Sequence, residues 1–217
     1  MENLKQIADE IRAELDEKNR VRDVALQVSR EVIRMSANSI RAVHREEFDE
    51  ARQLLDQTRR KVDETRELLK DNLDIYYAGY VQDAQKEYSE GELTLALVRG
   101  EKMPSDKELG TECAAYLNGL GEAVQECRRH TLDLIRLGKL ERATQLLNTM
   151  DDAYYVLVTF DYPDAITGGL RRTTDMVRGV LERTRGDLTV SIRQQELEQS
   201  MAAVMARLDN ERGNKGA

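Results

Sequence analysis

The sequence has 217 residues, of which 40% are hydrophobic and 34% are charged, and its formal net charge is −8. Such a chain can bury a core beneath a heavily charged surface, and the low aromatic content (5%, no Trp) favours packed helices over a β-sandwich. An acidic chain does not attract nucleic acid by its bulk charge, so any such binding requires a locally basic surface.

The ends of the chain and its cysteines indicate a cytoplasmic protein. The opening MENLKQIADE does not resemble a signal peptide, and no apolar run approaches the ~20 residues that span a bilayer. Cys113 and Cys127 would lie roughly 21 Å apart on one helix, which is too far for a disulfide. We therefore expect two free thiols in a reducing compartment.

Hydrophobic residues recur at helical spacing along most of the chain, and no strand pattern or repeat is evident. A long first helix carries apolar residues from Val21 to Val43. Six further helices are predicted over residues 48–69, 73–98, 111–137, 140–158, 170–185 and 188–208. Two loops separate some of them, GEKMPSDKELG with a capping box from Ser105 to Glu108, and FDYPDAITGG. These patterns predict one all-α domain over residues 1–210, a seven-helix antiparallel bundle, and a flexible tail over residues 211–217.

Acidic residues are concentrated in the middle of the chain, where residues 71–110 carry −5 of the net charge of −8. On helices, Glu87 and Glu90 share one face at a spacing of three residues, and Glu122 and Glu126 share one at a spacing of four. Both pairs adjoin apolar residues, where an unpaired charge is costly. If the two helices face each other, the four carboxylates form a cluster that a hard cation such as Mg²⁺ would stabilise. Two solvated faces, or pairing with arginines, remain the alternative.

A basic stripe on the first helix is a second candidate for function. Arg30, Arg34, Arg41 and His44 fall on one face, opposite the apolar residues, and could follow a nucleic-acid backbone. Arg129 follows Glu126 by three residues and could contact a phosphate oxygen beside a bound metal ion. A solvated face and a simple salt bridge are the respective alternatives.

Other site chemistries find less support in the sequence. There is no Glu-x-x-His motif of the di-iron bundles, no P-loop, no GxGxxG and no CxxC pair. Cys127 lies beside basic residues, but a packed thiol is the simpler interpretation than a nucleophile.

Four segments of the chain together resemble the translin family, most closely its translin-associated factor X branch. The segments are IRAVHR, QKEYSEGE, YLNGLGEAVQECRR and YYVLVTFDYPDAITGGLRRTTDMVR, and the similarity extends over nearly the whole chain. The resemblance implies a seven-helix protomer, closed octameric shells and binding of single-stranded RNA or DNA. The factor X branch is a Mg²⁺-dependent ribonuclease that uses acidic residues.

Carried over by position, the acids of that branch fall on Glu87, Glu90, Glu122 and Glu126. Two positions depart from its pattern: Glu122 stands where the branch has Asp, and Lys86 separates Gln85 from Glu87 where the branch has Gln directly before Glu. The basic, His-rich stretch of translin itself has no counterpart, since NLDIYYAGY stands there instead. The chain thus resembles a stand-alone factor-X-like protein of archaeal type that forms a homo-oligomer.

Together with the acidic pairs, the resemblance implies a metal-dependent endoribonuclease that cleaves single-stranded RNA inside a homo-octameric shell, with Mg²⁺ or Mn²⁺ held by the four glutamates. Two other functions stay open. One is a translin-like protein that binds single-stranded RNA or DNA without cleaving it. The other, less favoured by the length of the chain, is an all-α nucleotide pyrophosphohydrolase.

Overall fold

The computed structural model describes residues 2–214 and, within them, the side chains of residues 3–210. This part of the chain is 87% helical and contains no strand, which confirms the all-α fold class. Its nine helices are α1 Glu2–His44, α2 Phe48–Leu69, α3 Leu73–Tyr76, α4 Gly79–Arg99, α5 Asp106–Leu109, α6 Cys113–Arg136, α7 Leu140–Leu157, α8 Asp164–Thr167 and α9 Leu170–Asn214. Over the same residues, no helix combines the length and apolar character that a membrane span needs.

The predicted count of seven helices is only approximate, because two boundaries differ. The helix expected over residues 73–98 is divided into α3 and α4 by Ala78, whose extended backbone (φ −66°, ψ 144°) begins α4. Conversely, the two helices expected over residues 170–185 and 188–208 are one continuous helix, α9. Gly186 costs that helix only about 1 kcal/mol relative to Ala. Burial of Leu188 and an ion pair between Arg128 and Asp187 (2.8 Å) hold the chain in place there.

The capping box predicted in the first loop is present and starts a short helix. The hydroxyl of Ser105 accepts a hydrogen bond from the Glu108 amide (3.1 Å), and the Glu108 carboxylate accepts one from the Ser105 amide (2.7 Å). At the other end of the chain, α9 continues to Asn214, past the start of the predicted tail. The rest of that tail, residues 215–217, lies outside the described residues.

Helix α4 lies at the centre of the fold, packed against α1, α2 and α6. Every residue from Tyr88 to Val98 is buried, so this stretch is enclosed on all sides. An apolar run with only a few polar residues is what such a position requires, since a helix that is apolar all round is a buried one. The carboxylates of Glu90 and Glu92, which belong to this stretch, are consequently held within a packed interior.

Two glycines allow the helices around α4 to approach closely. A Cβ added at Gly119 on α6 would lie 2.8 Å from the backbone oxygen of Lys86 on α4. A Cβ at Gly91 on α4 would lie 2.9 Å from the Leu55 side chain and 3.0 Å from the Ser39 hydroxyl. The backbones of α4 and α6 are thus nearly in contact where both helices carry their acidic residues.

The two longest helices each have one end that is largely exposed in the protomer. The described side chains of α1 before Ala25 are not buried, and neither are those of α9 after Leu188. Each end nevertheless carries large apolar side chains at spacings of three and four residues: Leu4, Ile7, Ile11 and Leu15 on α1, and Leu197, Met201, Val204 and Leu208 on α9. Exposed apolar stripes of this kind are typical of surfaces that contact another chain.

We expect Gly119→Ala to destabilise the protein by about 1–3 kcal/mol, because the new methyl group meets backbone atoms that cannot move aside cheaply. Gly186→Ala is the matched control: nothing lies within 4 Å of its Cβ position, and Ala should stabilise a continuous α9 by up to about 1 kcal/mol. Thermal denaturation of both variants checks this. Equal melting temperatures would contradict the close approach of α4 and α6.

Candidate metal centre

Three of the four predicted acids converge between α4 and α6. One carboxylate oxygen each from Glu87, Glu90 and Glu122 can be chosen so that all three lie within 4.8 Å of one another. Glu87 and Glu90 share a face of α4, as their spacing predicts, and Glu122 faces them from α6. We call these three residues the acid cluster.

Lys86 is the nearest cation to the acid cluster, and the sequence analysis noted it only as a departure from a pattern. Its Nζ lies 2.8 Å from Oε1 of Glu122 and 3.4 Å from Oε1 of Glu87. Burial opposes its charged form, but the two carboxylates outweigh burial and raise the pKa of Lys86. Lys86 therefore offsets part of the repulsion among the acids.

Glu90 is the most deeply buried member of the acid cluster, with 8% of its surface exposed. Burial raises its pKa to about 9, and the charges of Glu122, Glu87 and Glu126 act in the same direction. Burial likewise raises the pKa of Glu87, with Lys86 opposing the shift. Without a metal ion, Glu90 therefore carries a proton at neutral pH, and this makes the acid cluster less negative.

Glu126 lies one helical turn beyond Glu122, but its carboxylate is engaged with His44. Nε2 of His44 on α1 donates to Oε2 of Glu126 at 2.5 Å. This hydrogen bond holds the pKa of Glu126 below its usual value, against the effect of burial, and Arg129 adds to the lowering. The carboxylate of Glu126 thus lies near the acid cluster, and its hydrogen bond with His44 holds it in one orientation.

The pairing with Glu126 corrects the prediction for His44. Its side chain is only 4% exposed, so His44 does not lie on the exposed basic face of α1. The helical projection placed it at the edge of that face, where a bundle partner can cover it. Because His44 and Glu126 lie 82 positions apart on different helices, no local spacing signals their contact.

Glu92 has a different environment from its neighbours on α4. Its carboxylate accepts hydrogen bonds from Arg52 Nη1 on α2 (2.9 and 3.1 Å) and from the Tyr88 hydroxyl (3.1 Å). Two residues after Glu90, it points to the far side of the helix, as the 100° step predicts. Glu92 thus links α4 to α2 and takes no part in the acid cluster.

The remaining predicted basic residues are on the surface of the protomer. Arg30, Arg34, Arg41 and Arg129 are exposed, and within the described part of the chain none of them forms a salt bridge. Arg41 donates a hydrogen bond to Asn38 at 2.6 Å. These guanidinium groups are available to a polyanion, although a solvated surface would have the same appearance.

The acid cluster has the donor chemistry that a divalent metal ion requires. Around Mg²⁺ at about 2.1 Å, neighbouring ligand oxygens lie about 3.0 Å apart and opposite ones about 4.2 Å apart. The three carboxylate oxygens, within 4.8 Å of one another, need only small side-chain adjustments to reach those separations. An all-oxygen, acidic site of this kind suits Mg²⁺ or Mn²⁺ better than zinc.

A cleft of about 820 Å³ opens beside the acid cluster. Its walls come from α4, α6, α8 and α9, and among its lining residues are Tyr77, Lys86, Asn118, Glu122, Arg172 and Met176. Glu122 is a member of the acid cluster and also lines this adjoining cleft. Lys86, which pairs with Glu122, lines the cleft as well. A ligand in the adjoining cleft would therefore lie directly next to the candidate metal centre.

Neither cysteine forms a disulfide. Cys127 is fully buried, which raises the pKa of its thiol, whereas Cys113 is exposed. A buried thiol with a raised pKa is a poor nucleophile, in line with the packed thiol favoured by the sequence.

Known proteins share both the sequence and the fold of this chain. It is 31% identical over 200 residues to the uncharacterized protein MJ0175 of Methanocaldococcus jannaschii, and the match covers 91% of this chain and 88% of that protein. The crystal structure of AfC3PO matches with a TM-score of 0.79 and 29% identity, covering 86% of this chain and 97% of AfC3PO. AfC3PO in complex with duplex RNA gives a TM-score of 0.70 at the same identity, covering 86% and 96%.

A third structure, apo-NeC3PO, has a TM-score of 0.76 and 21% identity, with 84% of this chain and 96% of that chain covered. At that identity the match shows the fold alone. No family model matches the chain. These matches extend over nearly the full length of the compared chains, and they define the class of all-α proteins to which this fold belongs. The chain belongs to the translin family, together with the C3PO proteins.

We expect the stability of the metal-free protein to depend on pH through Glu90. The folded protein keeps a proton on Glu90 that the unfolded chain releases, so the wild type should lose stability as the pH rises from 4.5 to about 9. Glu90→Gln cannot titrate, so its free energy of unfolding relative to the wild type should increase over this range, by at most about 1.4 kcal/mol per pH unit.

Thermal or urea denaturation in EDTA at several pH values measures this difference. Glu141→Gln, at an exposed acid on α7, should run parallel to the wild type. A constant difference between Glu90→Gln and the wild type would show that Glu90 titrates normally.

Proposed function

We propose that this protein is a Mg²⁺-dependent endoribonuclease that acts at the acid cluster. The observation that carries the proposal is the convergence of three carboxylates from two helices at a separation suited to one divalent ion. Proteins rarely bring so many acids together in a buried place without a cation to bind, because the repulsion and desolvation are costly.

Each residue of the site has a role in this proposal. Glu87, Glu90 and Glu122 would hold the metal ion, and Glu90 would give up its proton in doing so. His44 holds the Glu126 carboxylate in one orientation, from which Glu126 can complete the site or accept a proton from water. Arg129 can contact a phosphate oxygen. When bound, Mg²⁺ supplies positive charge against the phosphate and activates a water nucleophile.

RNA as the substrate is supported by the comparison with AfC3PO, which has been solved with duplex RNA. The resemblance noted in the sequence points to single-stranded RNA or DNA. The exposed arginines Arg30, Arg34 and Arg41 on α1 offer a local basic surface on an otherwise acidic protein. We propose single-stranded RNA as the substrate, with duplex RNA as the competing substrate in any assay.

Assembly into a homo-oligomer, an octamer by resemblance, is the second part of the proposal. The apolar stripes at the ends of α1 and α9 are exposed within the described part of the protomer. A second copy of the chain is the simplest cover for them, because homo-oligomers are the commonest assemblies. A closed shell would place the acid cluster where RNA is enclosed.

A second candidate function is RNA binding without cleavage, and Lys86 favours it. Its ammonium already bridges two of the acids, as it would in a site that no longer binds metal. One assay on labelled single-stranded RNA distinguishes the two functions. An endoribonuclease cleaves the RNA with Mg²⁺ but not with EDTA. A protein that only binds RNA leaves it intact under both conditions.

We expect Glu122→Ala and Glu126→Ala each to lower the rate of RNA cleavage by at least about 100-fold, since even outer residues of a metal site contribute 10–100-fold. Both variants should remain folded oligomers by light scattering, because losing one acid also relieves like-charge repulsion. Glu141→Ala on α7, which lies at an exposed position, is the control and should cleave as the wild type does. Wild-type rates in both site variants would disprove the assignment.

We expect a double variant, Arg34→Ala with Arg41→Ala, to bind all RNA sequences more weakly and with less dependence on salt. Removing one contact with a phosphate reduces the slope of log affinity against log salt by roughly 0.7 for single strands. Cleavage at saturating RNA should be nearly unchanged. Arg129→Ala should do the reverse and slow cleavage with little loss of binding. If the affinity and slope of the double variant match the wild type, the basic face of α1 is only a solvated surface.

A further inference from the structure

Lys86 has an unusual position for a lysine next to a candidate metal site. Its side chain is 23% exposed and lies between Glu122 on α6 and its chain neighbour Glu87 on α4. No other lysine or arginine in the described part of the chain lies within 4.0 Å of an acid-cluster carboxylate. The ammonium of Lys86 therefore neutralises part of the charge of two of the three acids, as a bound metal ion would.

A lysine ammonium and a divalent ion compete for the same pair of carboxylates. The ammonium donates a hydrogen bond to Glu122 and forms an ion pair with Glu87, two of the acids that would hold the metal ion, and at close range the two cations repel each other. Metal binding therefore works against the ion pairs of Lys86, and the free energy of any ion pair that it breaks is subtracted from the affinity for metal.

The fold offers the displaced side chain a destination. Lys86 also lines the adjoining cleft of about 820 Å³, where Asp83, one helical turn earlier on α4, and Arg172 on α9 are among the lining residues. A lysine carries its charge on a flexible four-carbon stem, so rotation of the side chain alone can move the ammonium from the acids into the cleft.

We propose that Lys86 is a displaceable resident cation of the acid cluster: a divalent metal ion expels its ammonium into the adjoining cleft, where it contacts a phosphate of the RNA. This inference rests on the proposed function. Lys86 thereby weakens binding of the metal and strengthens binding of the substrate, two effects of opposite sign on one side chain. A lysine that only supported the fold would not produce this pair of effects.

The experiment compares wild type, Lys86→Met and Lys86→Arg in the chelator-treated full-length protein. Titration calorimetry with Mg²⁺ and with Mn²⁺ measures metal affinity, and cleavage of a labelled single-stranded RNA is measured at saturating Mg²⁺. Lys61→Met is the matched control, because Lys61 forms a similarly half-buried ion pair with Glu31 (2.6 Å) away from the site.

We expect Lys86→Met to bind both metals at least tenfold more tightly than the wild type, and to show a larger rise in melting temperature on addition of Mg²⁺. The same variant should cleave RNA more slowly, with a raised KM. Lys86→Arg retains the charge and should bind metal no more tightly than the wild type. Lys61→Met should leave metal affinity unchanged.

Other outcomes separate the two proposals. If the wild type binds metal and Lys86→Met binds it with equal or lower affinity, the inference about Lys86 is wrong and the metal site stands. If Lys86→Met binds metal more tightly but its KM for RNA is unchanged, the proposed interaction with phosphate is wrong. If neither protein binds Mg²⁺ or Mn²⁺, both the inference and the proposed metal-dependent function fail.

Discussion

The repulsion among Glu87, Glu90 and Glu122 is the constraint to which the rest of the site responds. Three carboxylates with oxygens within 4.8 Å of one another, in a half-buried position, cannot all keep their charge without compensation. The protomer reduces the charge in two ways: it places the Lys86 ammonium against two of the acids, and it retains a proton on the third. In the proposed function, a metal ion would replace both the ammonium and the proton.

The surrounding fold holds these acids in place against their repulsion. Gly119 lets α6 lie against the backbone of α4, and Gly91 does the same for the side of α4 that faces α1 and α2. Arg52 and Tyr88 tie Glu92 on the far side of α4, so the helix is anchored by polar contacts as well as by apolar packing. An enclosed helix with neighbours on every side has little freedom to rotate its acids away from one another.

The sequence alone was sufficient for the features that depend on local spacing. Helical periodicity predicted the all-α class, local spacing predicted the capping box from Ser105 to Glu108, and i, i+3 spacing put Glu87 and Glu90 on one face. It was insufficient where distant parts of the chain meet. The pairing of His44 with Glu126, and the bridge from Lys86 to Glu122, depend on how helices are arranged in space. The continuity of α9 through Gly186 was missed for a related reason: burial of Leu188 outweighs a local propensity.

All three members of the acid cluster come from a single chain, from two helices that are in direct contact within the protomer. A metal ion bound by the acid cluster would therefore be held by one subunit alone, and an assembly of any size would carry one such centre per copy. In a mixed population of intact and inactive subunits, the number of working centres would decline in direct proportion to the fraction of inactive copies. The working centres would instead fall as the product of the intact fractions if each centre were shared across a subunit boundary, so mixing intact and inactive subunits distinguishes the two architectures.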